Sequence, residues 1–388
     1  MILNHVKMAD TGELLNIRVA GDKITGASAA PFKDADDHWQ LLFHQAMVFP
    51  GLINSHDHLD FNLFPRLGNR TYTNYTEWGK DIHKTHKKEI AGILKVPALL
   101  RSEWGVYKNL LCGITTVINH GEKMAAKNAP ITIFENSHCL HSVRFEKRWK
   151  LKLNNPFKAQ IPVNIHIGEG DDWSSYEEID QLIKWNLLKK KIIGVHAVAM
   201  SESQAKNFEA IVWCPQSNYF LLNTTARVNL LKKHTNLLFG TDSTLTGNWN
   251  IWDHLQLARQ TKLIDDVVLY QTLNQNAAKA WQLNSGEIAA GRDADLVIAN
   301  IKPSKKALDA FFAIHPADLL IVMHKGNIRL FDETMRGQLE AINISAFSKI
   351  YVNGICKYVQ GDLPGLMEKI KKYYPAARFP VSATEHQA

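Results

Sequence analysis

What most constrains the fold is a series of eight short apolar runs in the middle of the chain, most of them separated by helical patterns. They read as strands at about 48–54 (VFPGLIN), 114–119 (ITTVIN), 131–135 (ITIFE), 138–143 (HCLHSV), 161–167 (IPVNIHI), 192–197 (IIGVHA), 210–214 (AIVWC) and 236–241 (NLLFGT). Being apolar on both faces, these runs suit a buried parallel sheet, whose strands are covered by helices on two sides. Amphipathic patterns at about 84–111, 175–190, 201–209 and 250–283 supply the helices. Eight strands alternating with helices predict an α/β fold, a (β/α)8 TIM barrel over 48–285. The third and fourth strands are nearly contiguous, so one helix is expected to be missing there.

The flanks read differently. Residues 1–47 and 286–359 alternate in the β manner around turn signals such as ADTGE and AGDK, and are expected to form one small composite β-sandwich. Residues 360–388 are expected to hold a C-terminal helix, DLPGLMEKIKKYY, and a tail.

Composition narrows the function classes. Of 388 residues, 45% are hydrophobic and 21% charged, the balance of an ordinary globular protein. The net charge of +7 comes from 45 basic and 38 acidic residues interspersed along the chain, so no nucleic-acid partner is expected. The first residues show neither a basic leader nor an apolar core, and no run approaches the roughly 18 apolar residues of a membrane span. Cys112, Cys139, Cys214 and Cys356 are widely spaced and read as reduced thiols. The expectation is a cytoplasmic protein with no membrane partner and, by default, an isologous homodimer.

The chemistry lies at the strand ends. The first run closes on His56, Asp57 and His58. Strand side chains alternate, so the two imidazoles share a face with Asp57 turned away, and that pair can chelate a cation. In a barrel the strand C-termini face one pocket. Those ends bring His166, His196 and Asp242 to the same rim. Polar residues in core-forming strands cost stability unless paired or metal-bound. Glu169, three residues after His166 in HIGEG, is placed to shuttle a proton.

Together, PGLINSHDH, HIGEG, the strand-six histidine, WCPQSN, GTDS and NQNAAKAW followed by GEIAAGRDADLVI resemble the amidohydrolase superfamily. The chain is most similar to the branch containing cytosine and guanine deaminases and triazine chlorohydrolases, and the likeness covers nearly its whole length. The resemblance implies that His56, His58, His166 and Asp242 ligate one divalent metal, zinc in the first place and iron in the second. It further implies that His196 orients and polarises the attacking water, that Glu169 is the proton shuttle, and that Asp242 doubles as base. The implied function is a mononuclear aminohydrolase, or deaminase, in which a metal-bound hydroxide attacks the C–N carbon of a small heterocyclic substrate. The alternatives are a cyclic-amide or ring-opening hydrolase, as in imidazolonepropionase-like relatives, and more remotely a non-enzymatic interaction protein.

Two departures stand out. Strands three and four carry no lysine to bridge two metals, leaving Glu135 as the sole carboxylate there. Trp213 replaces the histidine that chlorohydrolase-like members often carry before Cys-Pro. Substrate-binding candidates are Arg66, Arg70, Tyr72 and Trp78 from the loop after strand one, with His120, His141 and Trp213.

Overall fold

The computed structural model describes residues 1–33, 39–124, 128–302 and 307–385. The chain opens with four strands, β1 (Ile2–Met8), β2 (Leu14–Ala20), β3 (Lys23–Ser28) and β4 (Gln40–Pro50). β4 takes in the first half of the apolar run 48–54, and the second half opens β5 (Leu52–Asp57), so the run expected as one strand is two. Gly51 is the joint. A Cβ there would lie 2.3 Å from Thr115 Oγ1, so only glycine lets the chain pass.

The remaining expected strands follow as β6 (Ile114–Asn119), β7 (Thr132–Phe134), β8 (His138–Ser142), β9 (Val163–Ile167), β10 (Ile192–His196), β11 (Ala210–Trp213) and β12 (Asn236–Phe239). They form two parallel arcs, β5–β6–β7 and β8–β9–β10–β11–β12, in a TIM-barrel-like α/β arrangement. The ladder does not run from β7 to β8. Residues 135–137 alone connect these strands, so the missing helix and the break coincide. At the other junction, β12 meets β5 through its following loop: Thr241 N–H donates to Asn54 Oδ1 (3.1 Å) and Asp242 N–H to the His56 carbonyl (3.1 Å).

The helical stretch expected at 84–111 is three helices, α1 (Tyr75–Thr85), α2 (Lys87–Ile93) and α3 (Ala98–Leu110). Asn74 caps α1 by accepting from the Thr76 and Glu77 N–H groups, and Pro97 forces the break before α3.

Six strands close the chain: β13 (Leu296–Asn300), β14 (Leu319–His324), β15 (Asn327–Asp332), β16 (Phe347–Val352), β17 (Ile355–Gln360) and β18 (Val381–Ser382). With β1–β4 they make a ten-stranded sheet in the order β18-β16-β17-β15-β14-β13-β4-β1-β2-β3. β4 is the link between the flanks, parallel to β1 and antiparallel to β13. It runs across residue 47, where the sequence suggested a boundary, and β18 joins the sheet from within 360–388. The strand period of two sorts β4 between two cores. Ala46 and Val48 pack with Leu3, Ile17, Ile298 and Phe331, whereas Met47 and Phe49 belong to the larger core with Leu52 and Trp252. Phe49 meets Trp252 and Phe311 edge-on, at ring-centroid distances of 5.8 and 5.1 Å. The helix Leu363–Tyr373 buries Leu363, Leu366, Met367 and Ile370. No helix among the described residues is long and apolar enough to cross a membrane.

Candidate active site

The alternation expected at the end of β5 holds. Asp57 turns away from the two imidazoles into a fully buried network, where it accepts from Lys108 Nζ (3.0 Å), Asn109 Nδ2 (2.7 Å) and Asn62 Nδ2 (2.8 Å). Lys108 also donates to Thr241 Oγ1 (3.2 Å), so one ammonium ties α3, β5 and the loop after β12 together behind the histidines. Sequence reasoning missed Lys108. Its signal was positional, since Arg101, Trp104, Gly105 and Lys108 all fall on the buried stripe of α3.

In front of Asp57 the donors converge. His166 Nε2 lies 3.2 Å from both His56 Nε2 and His58 Nε2. Asp242 Oδ1 stands 3.8 and 3.7 Å from the same atoms of His56 and His58. Two nitrogens bound to one cation at about 2.1 Å would lie about 3.0–3.4 Å apart, so the spacing fits shared ligation. Tautomers agree as well. His166 Nδ1 faces the His141 carbonyl at 2.8 Å and must donate to it, which leaves the Nε2 lone pair for the cluster. Burial, reinforced by neighbouring histidines, pushes His56 and His166 well below the usual imidazole range, so both are neutral, as ligands must be. Burial favours a protonated Asp242, but the adjacent His58 and His196 rings and the hydroxyls of Ser217 and Thr246 (2.8 Å each) outweigh it and hold its carboxyl low. The donor set therefore fits one divalent cation, with nitrogen and oxygen ligands of the right charge and spacing.

Three strand ends turn through left-handed backbone at this rim: Gly168 (φ 60°), His196 (φ 71°) with Ala197 (φ 53°), and Asp242 (φ 55°). For the non-glycine residues this costs of order 1–3 kcal/mol each, a strain that clusters at sites where side chains are aimed. His196 Nδ1 donates to Asn218 Oδ1 (2.9 Å), leaving Nε2 3.6 Å from Glu169 Oε1. Asn218 in turn donates to Thr225 Oγ1 (3.1 Å), which also accepts from Trp213 Nε1 (2.7 Å). Burial, then the nearby Asp242 charge, pushes Glu169 well above the carboxylate range. The turn that carries it is pinned from below: Gly168 N–H donates to Glu178 Oε1 (2.7 Å), and Arg144 Nε lies 3.0 Å from Glu178 Oε2.

A cavity of about 680 Å³ opens over these groups. His58, His166, Glu169, His196 and Asp242 form its floor, and its walls are mainly apolar, with Phe61, Trp78, Ile82, Leu94, Phe145 and Leu245. Of the substrate-binding candidates, Trp78 and His141 line it, and so does Tyr75 at the start of α1. The others do not. Arg66 lines a separate cavity of about 560 Å³ on the far side of Asn62 and Thr244. Arg70 is half-exposed and paired with Glu77 (2.6 Å). Tyr72 is buried, with its hydroxyl on Asp81 (2.7 Å), because the loop folds back onto α1. Trp213 is fully buried behind Asn218, so it supports His196 instead of meeting a ligand. His120 is buried among the histidines and outside the lining. Glu135 accepts from the Met124 N–H (2.7 Å).

The amidohydrolase family model matches residues 153–329. The resemblance read from the sequence is borne out. Among characterised relatives, a 5'-deoxyadenosine deaminase of Methanosphaera stadtmanae is 22% identical over 326 residues, 66% of this chain and 74% of the relative. A 5-methylthioadenosine/S-adenosylhomocysteine deaminase of Pyrococcus furiosus is 28% identical over 205 residues, 46% of each protein. Among solved structures, a zinc-bound adenosine deaminase from Xanthomonas campestris superposes with a TM-score of 0.70 at 15% identity, over 97% of this chain and 98% of the other. A zinc complex of the atrazine chlorohydrolase from Arthrobacter aurescens gives 0.64 at 13% identity, over 84% and 94%. These likenesses fall on the deaminase and triazine-hydrolase side of the family, as the motifs implied.

Proposed function

We propose that this amidohydrolase-like chain is a mononuclear, metal-dependent aminohydrolase acting on a small nitrogen heterocycle. The observation that carries the reading is the convergence of His56 and His58, each 3.2 Å from His166 Nε2, with Asp242, beside Glu169 and His196 at the floor of one cavity. His56, His58, His166 and Asp242 would hold the cation, zinc before iron because nitrogen donors dominate the set. When bound, such a cation supplies a Lewis acid that brings the pKa of water from 15.7 towards about 7.

The chain's own groups do the rest. His196, locked by Asn218 with its Nε2 free, orients the attacking water. Asp242 accepts the water's proton at a carboxylate held ionised by its hydroxyl partners. Glu169, on the glycine-flanked turn, delivers a proton to the departing nitrogen. The apolar walls exclude bulk water and suit a planar ring with a neutral substituent. The relatives' names make aminopurine derivatives the first compounds to screen. We also read the two parallel arcs as one eight-stranded barrel, and the ten-stranded sheet as a unit built from both chain ends.

The test is elemental analysis of chelator-free protein, followed by an ammonia-release screen. About one zinc or iron per chain with ammonia evolved is the expected result. Two metals, or ring opening without ammonia, would move cyclic-amide hydrolysis ahead. No metal after reconstitution would overturn the reading.

A further inference from the structure

Each imidazole described so far has a task except one. His120 follows β6, and its backbone N–H donates to the Asp57 carbonyl (2.8 Å), which fixes the residue beside the His56–His58 pair. Its ring centroid lies 4.1 Å from that of His166, 5.1 Å from His56 and 5.2 Å from His58. Those three rings are 4.9–5.1 Å from one another, so His120 packs against all three.

The ring is 2% exposed, and neither of its nitrogens has a hydrogen-bond partner among the described residues. Burial, with the neighbouring histidines, pushes His120 well below the usual imidazole range against the pull of the nearby Asn164 amide, and no contact of either side chain meets the distance and angle of a hydrogen bond. Buried histidines elsewhere in the chain are served differently: His254 Nε2 meets the Asn248 carbonyl at 2.9 Å, and His324 Nδ1 meets Asp295 at 2.8 Å. An unpartnered buried polar group is destabilising, a cost removed if the ring has a partner that the polypeptide does not provide. Ligand atoms of His120, His56 and His166 all lie within 4.8 Å of one another.

We propose that His120 is a further ligand of the cation, which would then be held by four imidazoles and the Asp242 carboxylate. The proposal rests on the single-cation reading above. Turning the ring toward the cation would break no contact that meets hydrogen-bond geometry.

The experiment is X-ray absorption on the zinc-loaded full chain, wild type and His120→Ala, with a cobalt-loaded pair for visible spectra. The expected result is four imidazoles in the wild type and three in the variant. Cobalt bands should be weak in the wild type and stronger in the variant as the coordination number falls. Zinc affinity should drop by roughly tenfold or more, but an outer-shell residue can cost as much, so the imidazole count decides. Three imidazoles in the wild type, or identical spectra in the pair, would overturn the proposal while leaving the metal site standing. A wild type that binds no zinc would overturn the metal site itself. If His120→Ala fails to fold, the wild-type count still separates four imidazoles from three.

Discussion

At the scale of single residues, the site separates groups that do chemistry from groups that aim them. Under the proposed function, Glu169 belongs to the first kind. Glu169→Gln keeps its volume and removes the transferable proton, so kcat should fall by about 10²–10⁴ with metal content unchanged. Steady-state ammonia release beside elemental analysis checks this, and near-wild-type turnover would take Glu169 out of the mechanism. Lys108 belongs to the second kind. It is fully buried, 3.0 Å from Asp57, and its loss leaves that carboxylate without its cation. Lys108→Met should cost about 3–5 kcal/mol, the usual penalty for breaking a buried pair, read from urea unfolding. A loss below about 1 kcal/mol would mean that Asn109 and Asn62 satisfy Asp57 unaided. The motif HDH showed its paired imidazoles because strand alternation is local. Two of Asp57's partners, Lys108 and Asn109, were hidden because only the packing of α3 brings them there, whereas Asn54 and Asn62 lie close by in the chain.

Among the elements, β4 and β5 matter most. They share an apolar run but serve different sheets, and Gly51 is where the chain changes layer. Gly51→Ala would press a methyl group on Thr115, so it should destabilise by roughly 1–3 kcal/mol. Thermal unfolding of the variant checks it, and an unchanged midpoint would show that Thr115 can turn aside. Periodicity located eight strands to within a few residues, since each buried run is apolar on both faces whatever lies beside it. It could not see the division at Gly51, because both halves are equally apolar. Nor could it show that the loop at 65–74 folds back on α1, which withdraws Tyr72 from the cavity while α1 itself carries Trp78 into it.

For the whole molecule, pH offers a test through Glu178, the carboxyl beneath the Glu169 turn. Burial, working against the Arg144 charge, pushes it up to about 7 from an ordinary 4.5. The folded state thus holds this proton more tightly than the unfolded chain. Its contribution is complete below about pH 4.5 and is lost as pH rises through about 7, on the order of 3 kcal/mol in all. Urea unfolding of the wild type should therefore lose stability between about pH 5 and 8 relative to Glu178→Gln, and parallel curves would contradict this. The sequence by itself determined the order of strands, the alternation that pairs His56 with His58, and the positions of His166, His196 and Asp242 at strand ends, because all of these follow from short-range backbone periodicity. Tertiary structure alone decided which aromatic and basic residues reach the cavity, how Asn218 and Trp213 fix His196, and where His120 lies. Those depend on contacts between residues tens to hundreds of positions apart, and no local pattern in the chain records them.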